Sequence, residues 1–154
     1  MHRLSLKNAK ISLMENQINV RNYTVDDYEP VRQLLVDGGL YYEPFDSPER
    51  LPEKISKDPK SIIVATEAKR VVGTVRFLED GSMAFIFRLA VNPADRNKGI
   101  GKALMEEAEK ELFGRGYREI NILVEEGNAE LQEYYGRQGY ERGNGYRWMT
   151  KERR

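Results

Sequence analysis

The sequence predicts a mixed α/β domain, a central sheet of about six or seven strands flanked by about four helices. Three observations predict it. Residues 61–91 carry three apolar runs joined by short polar turns, the pattern of an antiparallel meander. The third run, Phe85–Val91, leads through a glycine-containing turn into a segment with helical apolar spacing. A further apolar run, Tyr117–Val124, follows that helix, and a strand reached through a helix is expected to pair in parallel. The 154 residues suit one domain, placed at 17–150 between an N-terminal extension (1–16) and a polar tail (151–154). A chain of this length buries roughly 70% of the surface its unfolded form exposes and needs no staples.

The elements follow in order. In residues 1–16 the apolar positions Leu4, Leu6, Ile11, Leu13 and Met14 are too scattered to define an element. Ile18–Tyr23 reads as a first strand. Thr24 offers an N-cap to a helix with Asp26 and Asp27 in its first turn, an apolar face at Tyr28, Val31, Leu34 and Leu35, and Gly38-Gly39 at its end. Ser47 caps a short helix to about Lys57, with Pro48 at its first position. The aromatics Tyr41, Tyr42 and Phe45 before it are either core cover or one wall of a binding site. Ser61–Glu67 and Val71–Leu78 are two antiparallel strands turned by Ala68-Lys69-Arg70, and Glu79–Ser82 turns into the Met83–Val91 strand. Ile100, Ala103, Leu104, Ala108 and Leu112 share one face of a helix that runs to about Phe113, ended by Gly114 and Gly116. Asn128 caps a helix from Ala129 to about Arg137, with Leu131, Tyr134 and Tyr135 on its apolar stripe. Tyr140–Thr150 reads as two short strands around Gly143-Asn144-Gly145, a strong hairpin signal.

Composition narrows the function classes. Lys plus Arg number 25 and Asp plus Glu 25, so the formal net charge is zero, which counts against a general nucleic-acid binder. With no cysteine, thiol nucleophiles, disulfides and thiolate metal sites are excluded, and no metal is implied. No apolar run approaches the ~20 residues of a membrane span, and the N-terminus has no continuous apolar core, so no secretory signal is expected. The expectation is a cytoplasmic protein without nucleic-acid or membrane partners, monomeric or homodimeric.

The chemistry-bearing stretch is the turn between the Phe85–Val91 strand and the next helix. Asn92-Pro93 stops the strand, since proline cannot donate to a ladder and restricts the residue before it. The helix that follows begins with unpaired backbone N–H groups and the positive end of its dipole. Gly99 and Gly101 let a bulky anion approach those amides, and Arg96, Lys98 and Lys102 add charge. The spacing rejects a P-loop, which needs glycine where Arg96 stands and Ser or Thr where Ala103 stands. It also rejects the dinucleotide fingerprint, whose third glycine is here Leu104. The segment is then a phosphate or pyrophosphate seat, or a glycine turn with solubilising basic neighbours.

Arg96-x-x-Gly99-x-Gly101 after a Val91-x-Pro93 strand end resembles the pyrophosphate motif of the GNAT superfamily, the acetyl-CoA-dependent N-acetyltransferases. Asn128-x6-Tyr135-x3-Gly139-Tyr140 is similar to that superfamily's last motif, and together the matches run from Ile18 to Thr150. The nearest likeness is to the small stand-alone bacterial and archaeal enzymes. The resemblance implies a GNAT-like fold in which the strand before the turn splays from its parallel neighbour and holds the pantetheine arm, here through Leu89, Ala90 and Val91. It places the pyrophosphate on Arg96, Asn97, Lys98, Gly99, Ile100, Gly101 and Lys102, sets Asn128 against acetyl-CoA, and makes Tyr135 the acid that protonates the leaving thiolate. Each of the last two has a plainer reading, Asn128 as a helix cap and Tyr135 as a core side chain. It also implies that residues 39–60 line the acceptor site.

The implied reaction moves an acetyl group from acetyl-CoA to a primary amine, on a small molecule or a protein, by direct attack. A lysine-type amine near pKa ~10.4 is neutral in about 1 part in 2,500 at pH 7, a cost of ~4.6 kcal/mol, whereas an α-amine costs about 1 kcal/mol. The two strands where a carboxylate base is common in the superfamily carry none here. Glu79, Glu125 and Glu126 lie near strand ends and either act through a water or are solvated turn residues. His2, the one histidine, is outside the matched region. This favours a low-pKa amine or a water relay. Two alternatives stand beside the enzyme: a catalytically silent acyl-CoA-binding module, and a nucleotide-binding domain that uses the same turn.

Overall fold

The computed structural model describes residues 17–153, so the expectations for 1–16 lie outside the described residues. The chain divides into two compact units, Met1–Ile122 and Leu123–Arg154.

The first unit holds one sheet in the order β1-β2-β3-β4-β5. Its strands are β1 (Asn19–Asn22), β2 (Ile62–Glu67), β3 (Arg70–Glu79), β4 (Ala84–Val91) and β5 (Asn121–Ile122). The first four pair antiparallel, and β5 joins β4 in parallel. β2 and the middle of β3 are buried along their length because both faces of the sheet are covered. One face takes α1 (Tyr28–Asp37) and α3 (Arg50–Lys57), which pack Val31, Leu34, Leu35 and Leu51 against Tyr23, Ile62, Val64 and Ala90. The other takes α4 (Ile100–Gly114), whose Ile100, Leu104, Met105, Ala108 and Leu112 are all buried. Burial of each large side chain contributes about 1.5–3 kcal/mol. α4 packs directly over Gly73 of β3: a Cβ there would stand 2.9 Å from both Ile100 and Leu104.

Local chemistry sets the ends. Thr24 opens a 3-10 turn (Val25–Asp27) before α1, and Asp27 is held by Arg21 at 2.8 and 2.9 Å. Gly39 ends that region in the left-handed conformation. The Ser47 hydroxyl accepts the Arg50 amide at 3.3 Å at the start of α3. A one-turn helix not anticipated from sequence, α2 (Glu43–Asp46), precedes it, closed by the Asp46 carboxylate on the Tyr42 amide at 2.7 Å.

The fold class is as predicted, with five strands among the described residues in place of six or seven, and five helices in place of about four. β5 is two residues long, not eight. Arg118 and Glu119 are exposed and break the apolar run, so only Asn121–Ile122 reaches the ladder.

The second unit contains α5 (Ala129–Gly136) and, among the described residues, no strand. The hairpin expected over Tyr140–Thr150 is absent. Neither Asn144 nor Gly145 takes the left-handed backbone a tight hairpin turn requires, and Tyr146, Trp148 and Met149 are exposed. Among the described residues no helix is long and apolar enough to cross a membrane.

Candidate functional site

The glycine turn forms as its residues dictate. The Asn92 side chain accepts the Ala94 amide at 3.3 Å and starts a 3-10 turn (Pro93–Asp95) directly after β4. Asn97 and Gly99 then take left-handed backbone, φ 63° and 77°. Around Gly99 there is open space, so its glycine is explained by this φ and not by crowding. The first helical bond of α4 is Ala103 N–H to Gly99 at 3.0 Å, which leaves the amides of Ile100, Gly101 and Lys102 without a partner inside the helix. No acid stands in that first turn, and the helix is fifteen residues long, so the positive end of its dipole is not neutralised.

The three basic residues divide. Arg96 and Lys102 are exposed beside the helix start, with Lys102 3.7 Å from Glu106. Lys98 instead turns to carboxylates, 2.9 Å from Asp95 and 3.2 Å from Glu67. Asp95 is buried and also takes Arg70 Nη1 and Nη2 at 3.0 and 3.2 Å. Arg70 and then Lys98 hold the Asp95 carboxyl below its ordinary value. Lys98 is thus a brace that fixes the turn to Glu67 at the end of β2, while Arg70 ties Asp95 to the start of β3; Arg70, Asp95 and Glu67 carry no signal for this in the sequence.

Leu89, Ala90 and Val91 lie on a strand whose second edge is open. The β4–β5 ladder consists of Phe85 with Asn121 and Ile86 with Ile122, and ends there. Among the described residues β4 continues to Val91 paired only with β3. A register shift opposite Thr74–Arg76 and a left-handed Arg88 (φ 57°) bulge the strand just before Leu89. Backbone groups of β4 beyond Ile86 are therefore available to an extended ligand that runs toward the α4 amides.

In the second unit, Asn128 caps α5, its side-chain oxygen accepting the Leu131 amide at 3.0 Å. That is the plain cap role, and it leaves the side-chain amide as donor. Tyr135 stacks edge-on between Tyr134 and Tyr140, with centroids at 5.1 and 5.8 Å. Burial, helped by Tyr134, pushes its phenol up to about 12.

A buried charge cluster went unread in the sequence. Asp46 is fully buried and takes Arg76 Nη1 at 2.6 Å, with Arg88 Nη2 at 3.5 Å. Arg76 sits in the middle of β3 at 1% exposure, and burial lowers its pKa against the opposing pull of Asp46. The only signal available was a lone arginine inside each of two apolar runs, at Arg76 and at Arg88.

Of the candidate bases, Glu79 is bound by Tyr117 and Arg115 and is held below its usual range, first by the Tyr117 hydroxyl. It pairs in register with Ala84, while the glycine turn follows Val91 at the other end of β4, about 23 Å away at ~3.3 Å per residue. Glu125 and Glu126 are exposed, and their backbone carbonyls accept the Gln132 side chain.

Known proteins resemble this chain in sequence and in fold. The model of the Acetyltransferase (GNAT) family matches residues 28–140. An acetyltransferase of Sodalis glossinidius is 33% identical over 125 residues, covering 80% of this chain and 87% of the relative. One from Yersinia pseudotuberculosis is 32% identical, over 80% and 88%. Among solved structures, a transcriptional regulator from Bacillus halodurans superposes with TM-score 0.73 at 24% identity, over 88% of this chain and all of that one. A PaiA N-acetyltransferase from Thermoplasma acidophilum, in complex with coenzyme A, gives 0.66 at 22%, over 79% and 88%. These two share the fold. The strand, open edge and glycine turn derived above fall within the matched span, and this chain belongs to the GNAT acetyltransferase family.

Proposed function

We propose that the protein transfers an acetyl group from acetyl-CoA to a primary amine by direct attack. The observation that carries this is the continuity of two features on one strand. β4 has an open backbone edge from Phe87 to Val91, and it runs into a helix start without acids. Leu89, Ala90 and Val91 would hold the pantetheine arm, and the amides of Ile100, Gly101 and Lys102 with Arg96 would take the pyrophosphate. Asn97 and Gly99 shape that turn, Lys98 braces it, and Asn128 contacts acetyl-CoA through its free amide.

In the reaction the amine lone pair forms the C–N bond at the thioester carbonyl. The C–S bond then breaks, Tyr135 donates its proton to the leaving sulfur, and the extra proton on nitrogen leaves to water. Free CoA and an acetamide result. A phenol raised to about 12 stays protonated across the working range, and the phenolate left after donation takes its proton back from water. With Glu79 committed elsewhere, an acceptor of low pKa, such as an α-amine, suits the site.

Calorimetric titration with acetyl-CoA, beside ATP and NAD, tests the reading. Selective binding of acetyl-CoA is expected, weakened at least about tenfold by Arg96→Glu with Lys102→Glu. Both are exposed, so the fold should survive, whereas Gly99→Glu would also strain a left-handed backbone. Tyr135→Phe should keep binding and lower kcat by about a hundredfold. Binding without turnover in the wild type toward any amine would favour the silent acyl-CoA-binding module, and no acetyl-CoA binding would refute both.

A further inference from the structure

The charge cluster around Asp46 is incomplete as a structural device. The Asp46 carboxylate accepts Arg76 Nη1 at 2.6 Å and the Tyr42 amide at 2.7 Å, with Arg88 at 3.5 Å. Lys54, on α3, donates to the Phe77 carbonyl at 2.9 Å and lies 5.8 Å from the Phe87 ring centre. Phe87 is the register partner of Arg76. Two guanidinium groups, Arg76 and Arg88, therefore share the Asp46 carboxylate, with Lys54 nearby and facing Asp58 as well.

The hydrogen bonds do not close either. Nε and Nη2 of Arg76, Nε of Arg88 and the Tyr23 hydroxyl are all buried without a partner. A buried donor without an acceptor is destabilising, so these groups call for a partner. On Arg76 the two unpaired donors share one edge of the guanidinium, the fork that grips a carboxylate through two parallel bonds. What would balance both charge and hydrogen bonds is a second carboxylate.

Position says what that carboxylate belongs to. Arg88 directly precedes Leu89 on β4, a step of about 3.3 Å. Its left-handed backbone, costly for a non-glycine residue, lies at the bulge beside the open edge. Its side chain is 19% exposed, against 2% for Arg76, so a ligand arrives from its side. The rings of Tyr42 and Phe45, 5.0 Å apart and exposed, stand on the segment that carries Asp46.

Resting on the reading that β4 presents acetyl-CoA, we propose that the acceptor is an amine that also bears a carboxylate, and that Arg88, backed by Arg76, receives that carboxylate. The carboxylate fixes the substrate's orientation while its amine reaches the thioester carbonyl one residue along the strand.

The site can be tested without turnover, using product-like probes. N-acetylglycine and N-acetyl-γ-aminobutyrate are titrated into the full chain, each beside its carboxamide, with arginine Nε–H resonances as readout. The acids should bind roughly ten- to a hundredfold tighter than the amides and shift Arg88 and Arg76. Arg88→Gln should abolish the difference and Arg88→Lys keep part of it, with circular dichroism unchanged. Equal binding of acid and amide, or unchanged discrimination in Arg88→Gln, would overturn the proposal. Acetyl-CoA is titrated into the same samples. Its failure to bind, with discrimination intact, would instead refute the acetyl-transfer reading and with it the acceptor role, leaving a carboxylate site of other use.

Discussion

Of two segments that carry the signals of a β-hairpin, Ser61–Leu78 and Tyr140–Thr150, only the one with the worse turn forms it. Between β2 and β3 the turn residues are Ala68 and Lys69, both left-handed at φ 48° and 64°, where neither glycine nor asparagine relieves the strain. Yet the strands pair from Ile62 with Arg76 to Glu67 with Arg70. Over Tyr140–Thr150 the turn is Gly143-Asn144-Gly145, the better chemistry, and no ladder exists. The difference lies in the flanks. Ile62 to Ala65 and Val72 to Phe77 are buried under helices on both faces, which more than repays a strained turn. Tyr146, Trp148 and Met149 are 78–86% exposed and offer no such return. Turn residues choose the geometry of a hairpin; burial decides whether it exists.

The largest expected effect breaks the first hairpin from inside. Phe77→Ala, at a fully buried position, should cost about 3–5 kcal/mol in urea unfolding, while Trp148→Ala should stay within about 0.5 kcal/mol. A comparable loss for Trp148→Ala would contradict its exposure.

The first hairpin also braces the glycine turn, because it delivers Arg70, the first residue of β3, to Asp95. Arg70→Ala should cost about 1–3 kcal/mol, since buried Asp95 keeps only Lys98. The sign of the pH dependence follows. The folded Asp95 pKa is depressed, by Arg70 first, so its contribution is complete above the ordinary carboxylate value near ~3.9 and is lost as pH falls through the lower folded value. Denaturation between pH 5 and 2 should be shallower in Asp95→Asn than in the wild type; equal acid slopes would show that the brace is not a linked group.

The same contrast marks what was legible. Ser61–Glu67 and Met83–Val91 were readable because their apolar runs are continuous, and Ile100–Leu112 because buried positions recur at helical spacing. The glycine turn was readable from Gly99, whose left-handed φ needs glycine. The sequence shows Lys98 as positive charge beside the helix start and does not show that Glu67, thirty-one residues away, turns toward it. Asp46, Arg76 and Arg88 were illegible for a related reason. A charged residue in a strand reads as solvent-facing, and its partner comes from a helix that composition did not predict. Tyr140–Thr150 was overread because turn chemistry is local and burial is not.

A smaller effect sharpens the comparison by improving the strained turn. Ala68→Asn with Lys69→Gly supplies the residues that two left-handed positions prefer and should stabilise the protein by about 1 kcal/mol. No gain in thermal denaturation would mean that the strain is already relieved within the turn.

The smallest effect probes the hairpin that does not form. Gly145 is not left-handed, and a Cβ there would meet the Glu126 carboxylate, with Oε1 at 3.5 Å and Cδ at 3.8 Å, ordinary contacts. Gly145→Ala should therefore change stability by less than about 0.5 kcal/mol. In a tight hairpin turn the same residue would need positive φ, and alanine would cost at least about 1 kcal/mol. Thermal melts of this one variant thus distinguish an open segment from a closed hairpin. A loss of that size would place the missing strands back in the native structure and would make Tyr146, Trp148 and Met149 the side chains that pay for them through burial.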